Sequence, residues 1–366
     1  MRAIESLDTP AVLVDRAVAE RNLRSMSARA AAAGVALCPH TKTHKSPLWA
    51  WRQLDLGATR VMVAKLDEAT GLLEAGITRQ VIGYPLIGTQ KHQRLARLLT
   101  AGLSPVVAVD SEAAAGALDQ TARQTDHTID VLIEVDTGFQ RCGFADPADA
   151  ARFATWLSQH TALRVQGITA FGGHIARAGG PAAVRQAVLA EDQRLGDFVR
   201  ALASAGFREL TVSQGGTLAA AYLDELTAAT EIRPGTYIYN DAATVAAGAA
   251  RWEDCAASIL TTVVSMPSPN HAVVDAGSKT LSLDGPVGGS FGFFRDRPGL
   301  RMERLSEEHG IVAARPGERL HLSIGDRLRV IPNHVCTMIN LHDAVYLVEG
   351  DAVVGRLPIT GRGGVR

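Results

Sequence analysis

From about residue 10 to residue 250, short apolar runs alternate with Ala/Leu/Arg-rich stretches of helical length. The runs are rich in β-branched residues, which is typical of the buried strands of a parallel sheet. Predicted strands are Ala11–Val14, Leu37–His40, Arg60–Val63, Val81–Tyr84, Ser104–Val109, Thr128–Val135, Gly167–Phe171 and Glu209–Ser213, with Ile232–Tyr239 a further candidate. About eight strand and helix units in succession predict a (β/α)8 barrel of the TIM type.

After Trp252 the helical periodicity disappears, and short apolar runs are separated by Pro, Gly and Asn turns. Such a pattern predicts an antiparallel β-domain. The predicted strands there are Ser258–Ser265, Ala272–Asp275, Leu320–Ser323, Leu328–Pro332, Ala344–Glu349 and Asp351–Leu357. We therefore expect an α/β protein with a barrel over residues 10–250 and a C-terminal antiparallel β-domain over residues 251–366, to which residues 1–9 are also assigned.

Composition and charge restrict the partners of this chain. Its 366 residues carry 37 Lys and Arg against 38 Asp and Glu, so no strong field attracts nucleic acid or an anionic membrane. We expect neither of these partners, and no apolar run has the roughly 18 residues that a membrane span needs. The N-terminal residues carry charges where a signal peptide would be apolar, and the four cysteines form no CxxC pair. A cytoplasmic protein that binds a small molecule is the expectation.

In a parallel barrel, the active site is built from the carboxyl ends of the strands and the loops after them. Polar residues of this chain concentrate in four such places. They are residues 39–45 after Leu37–His40, residues 136–143 after Thr128–Val135, residues 172–174 after Gly167–Phe171 and residues 214–217 after Glu209–Ser213. These four loops are the candidate site.

Within the first of these loops, His40, Lys42, His44 and Lys45 place four basic groups within six positions. A lysine that is desolvated among like charges has a lowered pKa and becomes an amine nucleophile toward a carbonyl cofactor. We expect His40 to contact that cofactor as well. The alternative interpretation is a solvated basic loop, which is the usual meaning of an isolated run of charges.

A candidate phosphate site follows the predicted strand Glu209–Ser213, at Gln214, Gly215, Gly216 and Thr217. Glycines there allow backbone N–H groups to approach a phosphate, and the Thr217 hydroxyl is a further donor. By itself a glycine pair after a strand is more often a plain turn. A phosphate site and an activated lysine in one barrel form a more specific combination.

A candidate metal site lies in the second domain, where His334 and Cys336 are two residues apart. If this segment is a strand, both side chains point to the same face and can bind one ion. A histidine and thiolate pair suits zinc, and positions left open would accept water or substrate. The alternative is a buried cysteine beside a core histidine with satisfied hydrogen bonds.

Taken in order along the chain, these motifs resemble the D-threonine aldolase and D-serine dehydratase family of fold-type III pyridoxal phosphate (PLP) enzymes, which have an alanine-racemase-like N-terminal barrel. The likeness covers nearly the whole chain. The segments that carry it are residues 8–10, 40–45, 136–138, 141–143, 215–217, 233–237, 308–310 and 334–336.

The resemblance implies that Lys42, and not Lys45, carries PLP covalently. Arg141 is similar to the arginine on the phenolic oxygen side of PLP. Arg233 is similar to the arginine that faces the pyridine nitrogen in alanine racemases. An arginine there keeps this nitrogen unprotonated, so the ring is a weaker electron sink and an auxiliary Lewis acid is more useful. The residues that resemble the phosphate-binding set are Gly216, Thr217 and Tyr237.

The resemblance also implies a divalent metal, zinc or manganese, that polarises a substrate β-hydroxyl. D-threonine aldolases carry an aspartate where this chain has Cys336, whereas D-serine dehydratases carry a cysteine. His174 is the candidate acid or base after Gly167–Phe171. We expect a lyase that cleaves D-3-hydroxy-amino acids to glycine and an aldehyde by a retro-aldol reaction, and the alternative is dehydration by a D-serine or D-threonine dehydratase.

Two more distant alternatives belong to other classes. A non-catalytic PLP-binding protein would need neither the second domain nor a metal pair. Racemases of this fold use a tyrosine of the second domain as the opposite-face base, and Tyr346 is the only tyrosine after Trp252. By analogy with the family, a homodimer is expected.

Overall fold

A computed structural model describes residues 2–160, 162–314 and 318–366. The chain divides into two compact units. One unit comprises residues 1–25 and 236–362, and the other comprises residues 26–235 and 363–366. Among the described residues, no helix combines the length and the apolarity that crossing a bilayer requires.

In the described part of residues 26–235, eight parallel strands form one sheet in which each strand from the second to the seventh pairs with the next along the chain. These barrel strands are Ala36–Leu37, Val61–Val63, Arg79–Ile82, Ser104–Val109, Ile129–Glu134, Leu163–Ala170, Thr211–Gly215 and Glu231–Arg233. The first strand also pairs with the eighth, and a parallel bridge between His40 and Met62 joins its continuation to the second. The sheet therefore closes, and the predicted barrel is confirmed.

The barrel is a packed core and not a pore. Cys38, Met62, Val81, Val106 and Leu132 form a buried cluster contributed by five different strands or their continuations. Strand residues on the opposite face pack under the surrounding helices, which explains why the strands read as continuous apolar runs. The helices of this unit are Pro47–Asp55, Leu66–Glu74, Thr89–Thr100, Glu112–Gln124, Pro147–Leu157, Pro181–Ser204 and Thr217–Ala220. A further helix, Arg16–Ala32, includes the boundary between the two units along the chain.

The other unit contains a ten-stranded sheet among the residues described. Its strands are Arg2–Ala3, Ala11–Asp15, Ala257–Ser268, His271–Val274, Phe293–Phe294, Leu300–Leu305, Gly310–Ala314, Arg327–Ile331, Ala344–Glu349 and Ala352–Pro358. Neighbouring strands are antiparallel, except that Ala11–Asp15 runs parallel to Ala344–Glu349. Three short helices, Ala242–Ala246, Ser278–Leu281 and Val335–Ile339, accompany the sheet. The predicted antiparallel β-domain is confirmed.

Two strand predictions are wrong. The run Ala11–Val14 belongs to the ten-stranded sheet, where it pairs with residues 257–260, and the eighth barrel strand is instead Glu231–Arg233. The segment Leu320–Ser323 forms no strand, although its apolar and polar residues alternate. An alternating sequence forms a strand only if a neighbouring strand offers free backbone N–H and C=O groups. The strands of this sheet already pair with one another.

Candidate active site

The predicted cofactor lysine follows the first barrel strand directly. The chain leaves Ala36–Leu37 and forms a single 3-10 turn over Thr41–Thr43. His40 caps this turn, because its Nδ1 accepts a hydrogen bond from the backbone N–H of Lys42 at 3.4 Å. The Thr41 hydroxyl anchors the turn to the second strand by donating to the Met62 carbonyl at 3.0 Å. The turn thus holds the half-buried Lys42 at the carboxyl end of the barrel.

The expected cluster of four like charges does not form around Lys42. Burial lowers the pKa of His40, with further lowering by Lys42 and Arg233, and burial lowers the pKa of His44 to about 4. Both imidazoles are therefore neutral at pH 7. Lys45 is buried with its Nζ 3.3 Å from the Glu68 carboxylate, so its charge is compensated. The sequence-based explanation of an activated lysine by neighbouring cations is wrong, and Lys45 has a structural partner.

The ring of Phe171, the first residue after the sixth barrel strand, lies among several predicted site residues. Lys42 Nζ is 5.5 Å from the centre of this ring, and the guanidinium carbon of Arg141 is 4.9 Å from it. A side chain at Gly215 would place its Cβ 3.0 Å from the ring, and one at Gly216 would place it 3.7 Å away. The structure therefore brings the lysine, Arg141 and the glycine pair together around one aromatic side chain.

Arg233, at the end of the eighth strand, is buried in the same region. Its Nη2 donates to the Ala170 carbonyl at 2.6 Å, whereas its Nη1 is buried and has no hydrogen-bond partner among the described residues. Burial lowers the pKa of the guanidinium, and the carboxylates Glu231, Glu134 and Glu191 offset part of that effect. A buried donor without a partner is costly, so Nη1 is suited to a ligand acceptor.

The glycine pair ends the seventh strand and begins a short helix. Gly216 is the N-cap of Thr217–Ala220 and has a φ of 103°, which favours glycine. A Cβ at Gly215 would lie 2.9 Å from the Ala170 carbonyl oxygen and from Arg233 Nη2. The backbone is therefore open to close approach at Gly216 and tightly enclosed at Gly215.

Gln214 behaves differently from the other predicted phosphate residues. It is fully buried, and its Nε2 donates to the Glu191 carboxylate at 2.8 Å. Glu191 also accepts a hydrogen bond from the Thr137 hydroxyl at 2.9 Å. Sequence reasoning missed Glu191, which lies in the long helix Pro181–Ser204 and not in a loop after a strand.

His174 lies in the 3-10 turn Gly173–Arg177. Its ring centre is 6.5 Å from that of Phe139, a residue whose ring is itself 5.8 Å from Phe171. The Nδ1 atom is buried and has no hydrogen-bond partner in the described part of the chain. Because His174 and Glu191 interact electrostatically, the histidine also belongs to this group of residues.

Sequence reasoning also missed Glu134, the last residue of the fifth strand. Only 7% of Glu134 is exposed, and its Oε1 lies 3.5 Å from Arg141 Nη2. Burial raises the pKa of Glu134, and Arg141 and Arg233 oppose that rise. The carboxyl group therefore lies beside Arg141, one of the two arginines that were predicted to face the cofactor. An acid that ends a buried strand beside a polar loop was a visible signal for it.

Three predicted site residues belong to the unit that contains the ten-stranded sheet. Tyr237 is buried in the 3-10 turn Thr236–Ile238. His334 is the N-cap of the helix Val335–Ile339, and Cys336 is the second residue of that helix. The prediction that His334 and Cys336 leave one strand on the same face is wrong, because the strand Arg327–Ile331 ends before them.

The buried carboxylate of Asp241 accounts for this helical turn. Its Oδ2 accepts the backbone N–H of Val335 at 3.0 Å, which satisfies one of the free donors at the helix start. The same oxygen lies 3.7 Å from Nδ1 of His334. Asp241 therefore fixes the backbone of the segment that contains both candidate metal ligands.

The side chains of His334 and Cys336 nevertheless meet. Burial lowers the pKa of His334, but a hydrogen bond with Cys336 and the charges of Cys336, Asp241 and Asp284 raise it to about 9. Surroundings that favour a cation on the imidazole also suit a metal ion. Among the described residues, no group of three or more His, Cys, Asp or Glu is arranged to hold a metal, so the pair would supply two protein ligands.

The fold and the site define an alanine-racemase-type barrel enzyme with an added β-domain. The model of the alanine racemase N-terminal domain matches residues 14–243, and that of the putative serine dehydratase domain matches residues 256–348. The D-threonine aldolase of Arthrobacter sp is 32% identical over 98% of this chain and 93% of its own length. The D-threo-3-hydroxyaspartate dehydratase of Delftia sp. (strain HT23) is 32% identical over 90% of this chain and 91% of its own.

A solved structure agrees with these sequence relatives. The D-threonine aldolase from Filomicrobium marinum superimposes with a TM-score of 0.91, at 31% identity and with complete coverage of both chains. This chain belongs to the D-threonine aldolase and D-serine dehydratase family, a family of lyases. Membership of this fold-type III family implies PLP as the cofactor.

The residues present fit PLP. Arg233 Nη1, which has no partner in the described part of the chain, can donate to the pyridine nitrogen, which is an acceptor when it is unprotonated. The open backbone at Gly216 suits the phosphate, and Lys42 supplies a primary amine near the same aromatic ring. The hydrogen-bond donor, the open backbone and the amine match the pyridine nitrogen, the phosphate and the aldehyde group of PLP, respectively.

A side chain at Gly216 tests the phosphate seat. We expect Gly216→Val to weaken PLP affinity by about tenfold or more, because the branched side chain blocks backbone approach to the phosphate. The dissociation constant is measured by titrating cofactor-free protein with PLP and following its absorbance.

Gly88→Val is the matched control, because Gly88 is also a helix N-cap, with a φ of 105° and with no atom within 4 Å of a Cβ. The backbone strain is similar at the two positions, so both variants should lose stability, by about 1–3 kcal/mol. Only the Gly216 variant should lose cofactor affinity. Equal PLP affinity in the two variants would contradict the assignment.

Proposed function

We propose that this protein is a PLP- and divalent-metal-dependent lyase that cleaves D-3-hydroxy-amino acids to glycine and an aldehyde. The observation that carries the proposal is the arrangement of Lys42, Arg141 and the glycine pair around Phe171, beside the unpartnered nitrogen of Arg233. The names of the relatives support the substrate class. D-threonine and D-threo-3-hydroxyaspartate are both D-amino acids with a hydroxyl group on Cβ.

When bound, PLP supplies an electron sink that weakens the bonds at the α-carbon of an amino acid. Lys42 would hold the cofactor covalently through Nζ, and Arg233 Nη1 would donate to its pyridine nitrogen. Arg141 would lie toward the phenolic oxygen. The residues that would hold the phosphate are Gly215, Gly216, Thr217 and Tyr237.

In the retro-aldol direction a base must take the proton of the β-hydroxyl while the Cα–Cβ bond breaks. We assign this base to the imidazole of His174, whose Nδ1 is buried without a partner among the described residues. His40 is neutral and caps the Lys42 turn, so its proposed contribution is to orient the lysine.

His334 and Cys336 would hold the divalent ion, with zinc or manganese as the candidates. One imidazole nitrogen and one thiolate fit zinc, and two protein ligands leave coordination positions for water or substrate. The ion would act as a Lewis acid toward the β-oxygen of the substrate. Support for this part comes from the contact between the two side chains and from the family resemblance.

Dehydration is the second candidate, and Cys336 is the observation that favours it. D-serine dehydratases of this family carry cysteine at this position, and one relative that is 32% identical is a dehydratase. In that reaction Lys42 would take the α-proton, and the metal would help hydroxide to leave. We also propose a homodimer in the cytoplasm, by analogy with the family.

Product analysis with D-threonine decides between these reactions. We expect purified protein with PLP and Mn²⁺ to release acetaldehyde and glycine in equal amounts, and L-threonine to give neither. Release of 2-oxobutanoate and ammonia instead would establish the dehydratase. Absence of any product, with PLP bound and metal present, would contradict a lyase that acts on this substrate class.

A further inference from the structure

Glu191 is a buried acid on an otherwise apolar helix stripe. It is 1% exposed and shares the inner face of Pro181–Ser204 with Val188 and Leu195. Burying a carboxylate costs free energy that hydrogen bonds must offset, whereas an apolar side chain at the same place would pack without that cost. A residue of this kind calls for an explanation other than packing.

The hydrogen bonds of Glu191 connect two of the loops that carry the proposed site. Its Oε1 accepts the Thr137 hydroxyl at 2.9 Å, and Thr137 lies in the loop that contains Arg141. Its Oε2 accepts the Gln214 amide at 2.8 Å, and Gln214 directly precedes the glycine pair. One carboxylate therefore connects the loop after the fifth barrel strand to the end of the seventh strand.

The loop after the sixth strand also contacts this carboxylate. A Cβ at Gly172 would lie 2.6 Å from Glu191 Oε1, so the backbone there runs close to the carboxyl group. Gly172 is two residues before His174 in the same loop. The loops after the fifth and sixth strands and the end of the seventh strand thus meet at Glu191.

Both partners of the Glu191 carboxyl group present donors to it. The Gln214 amide presents Nε2, and the Thr137 hydroxyl donates its hydrogen. Gln214 Oε1 is left buried and without a partner among the described residues. A glutamine at position 191 would carry one acceptor and one donor, so the Thr137 hydroxyl or the Gln214 amide would have to reverse its orientation and accept, which rearranges one of the two contacts.

We propose that Glu191 is a positioning residue for the lyase reaction, holding the loops of Arg141, His174 and the glycine pair in register with one another. The inference rests on the proposed function. It assigns no contact between Glu191 and the cofactor or substrate. Glu191 acts through Thr137, Gln214 and the backbone at Gly172.

The test compares Glu191→Gln with Asp192→Asn. Asp192 is the adjacent residue, is 2% exposed, and accepts backbone N–H groups of Thr227, Ala228 and Ala229 at 2.8 to 3.2 Å. Both substitutions neutralise a buried, hydrogen-bonded acid on the same helix, but the partners of Asp192 lie in a loop that carries no proposed site residue. Asp192→Asn therefore reports the effect of lost stability alone.

For Glu191→Gln we expect the dissociation constant of PLP to rise and kcat for D-threonine to fall, each by about tenfold or more. Asp192→Asn should lower the unfolding temperature at least as much and leave both quantities within about twofold of the wild-type values. If both quantities in Glu191→Gln also stay within twofold, the positioning role is overturned. PLP titration needs no substrate, so a wild-type protein inactive on D-threonine would contradict the proposed function and leave this test intact.

Thr137→Val is the second test of the positioning role, for use if the Glu191→Gln variant does not fold. It removes one of the two side-chain bonds to Glu191 from a partly buried position and keeps the shape of the side chain. We expect kcat to fall about fivefold, with an unfolding temperature no lower than that of Asp192→Asn. A folded Thr137→Val variant with wild-type kcat would overturn the proposal.

Discussion

Replacing Lys42 with alanine is expected to remove the yellow absorbance of the bound cofactor and to lower kcat on the order of a thousandfold or more, since the covalent attachment is lost. The measurement is an absorbance spectrum of the PLP-loaded variant together with the rate of product release from D-threonine. Lys42 is half-buried in a capped turn at the carboxyl end of the first strand, where its amine has room to react.

Lys45→Ala is the control, because Lys45 lies in the same motif. Its ammonium group is 3.3 Å from Glu68 in a buried ion pair, and removing one partner of such a pair costs about 3–5 kcal/mol. We therefore expect Lys45→Ala to unfold at lower temperature but to keep the yellow absorbance. Borohydride fixes PLP irreversibly to the lysine that carries it, and label found on Lys45 would show that the assignment is wrong.

The sequence predicts the alternating architecture well, because barrel strands buried on both faces appear as apolar runs separated by helices of regular length. It does not predict which sheet a short run joins. Ala11–Val14 has the composition of a barrel strand. Its partners, however, are residues 257–260, and both segments belong to the unit with the ten-stranded sheet. Leu300–Leu305 was missed because a bulge between Met302 and Arg304 interrupts its alternation.

For the candidate site, local sequence motifs identify the site residues that lie in loops after strands, but they miss a residue that lies in a helix. Lys42, Arg141 and the glycine pair follow strands, so the barrel rule identifies them. Glu191 is seventeen positions beyond His174 in a helix, but the apolar stripe of Val184, Val188, Leu195 and Phe198 includes it. An acid on such a stripe is a signal that helical periodicity provides and that a search limited to loops overlooks.

The segment of the metal pair shows why spacing alone does not fix geometry. An i, i+2 pair faces one way in a strand, but here it lies at a helix start. The buried Asp241 makes this turn by accepting the N–H of Val335, and Asp241 is more than 90 residues away in sequence. The two side chains still interact, and the metal at this pair stays a prediction although its structural premise is wrong.

Chelation should therefore abolish most of the activity without unfolding the protein. Two protein ligands hold an ion loosely, unlike a closed four-ligand structural zinc, so the unfolding temperature should change little. We expect activity to fall at least about a hundredfold, as a Lewis acid supplies several kcal/mol to the reaction. Adding Zn²⁺ or Mn²⁺ should restore it, while the PLP absorbance persists throughout.

Cobalt substitution gives a readout that does not depend on turnover. Co²⁺ bound to a thiolate absorbs through charge transfer from sulfur, so cobalt-loaded protein should show this absorbance and Cys336→Ser should lose it. Cys255→Ser is the control, since Cys255 is a fully buried free cysteine elsewhere in the same unit. Cys336→Asp should shift metal preference toward Mn²⁺ or Mg²⁺, because carboxylate oxygen is a harder ligand than thiolate. Full activity in exhaustively chelated protein, or a cobalt spectrum that Cys336→Ser leaves unchanged, would rule out the metal at this pair.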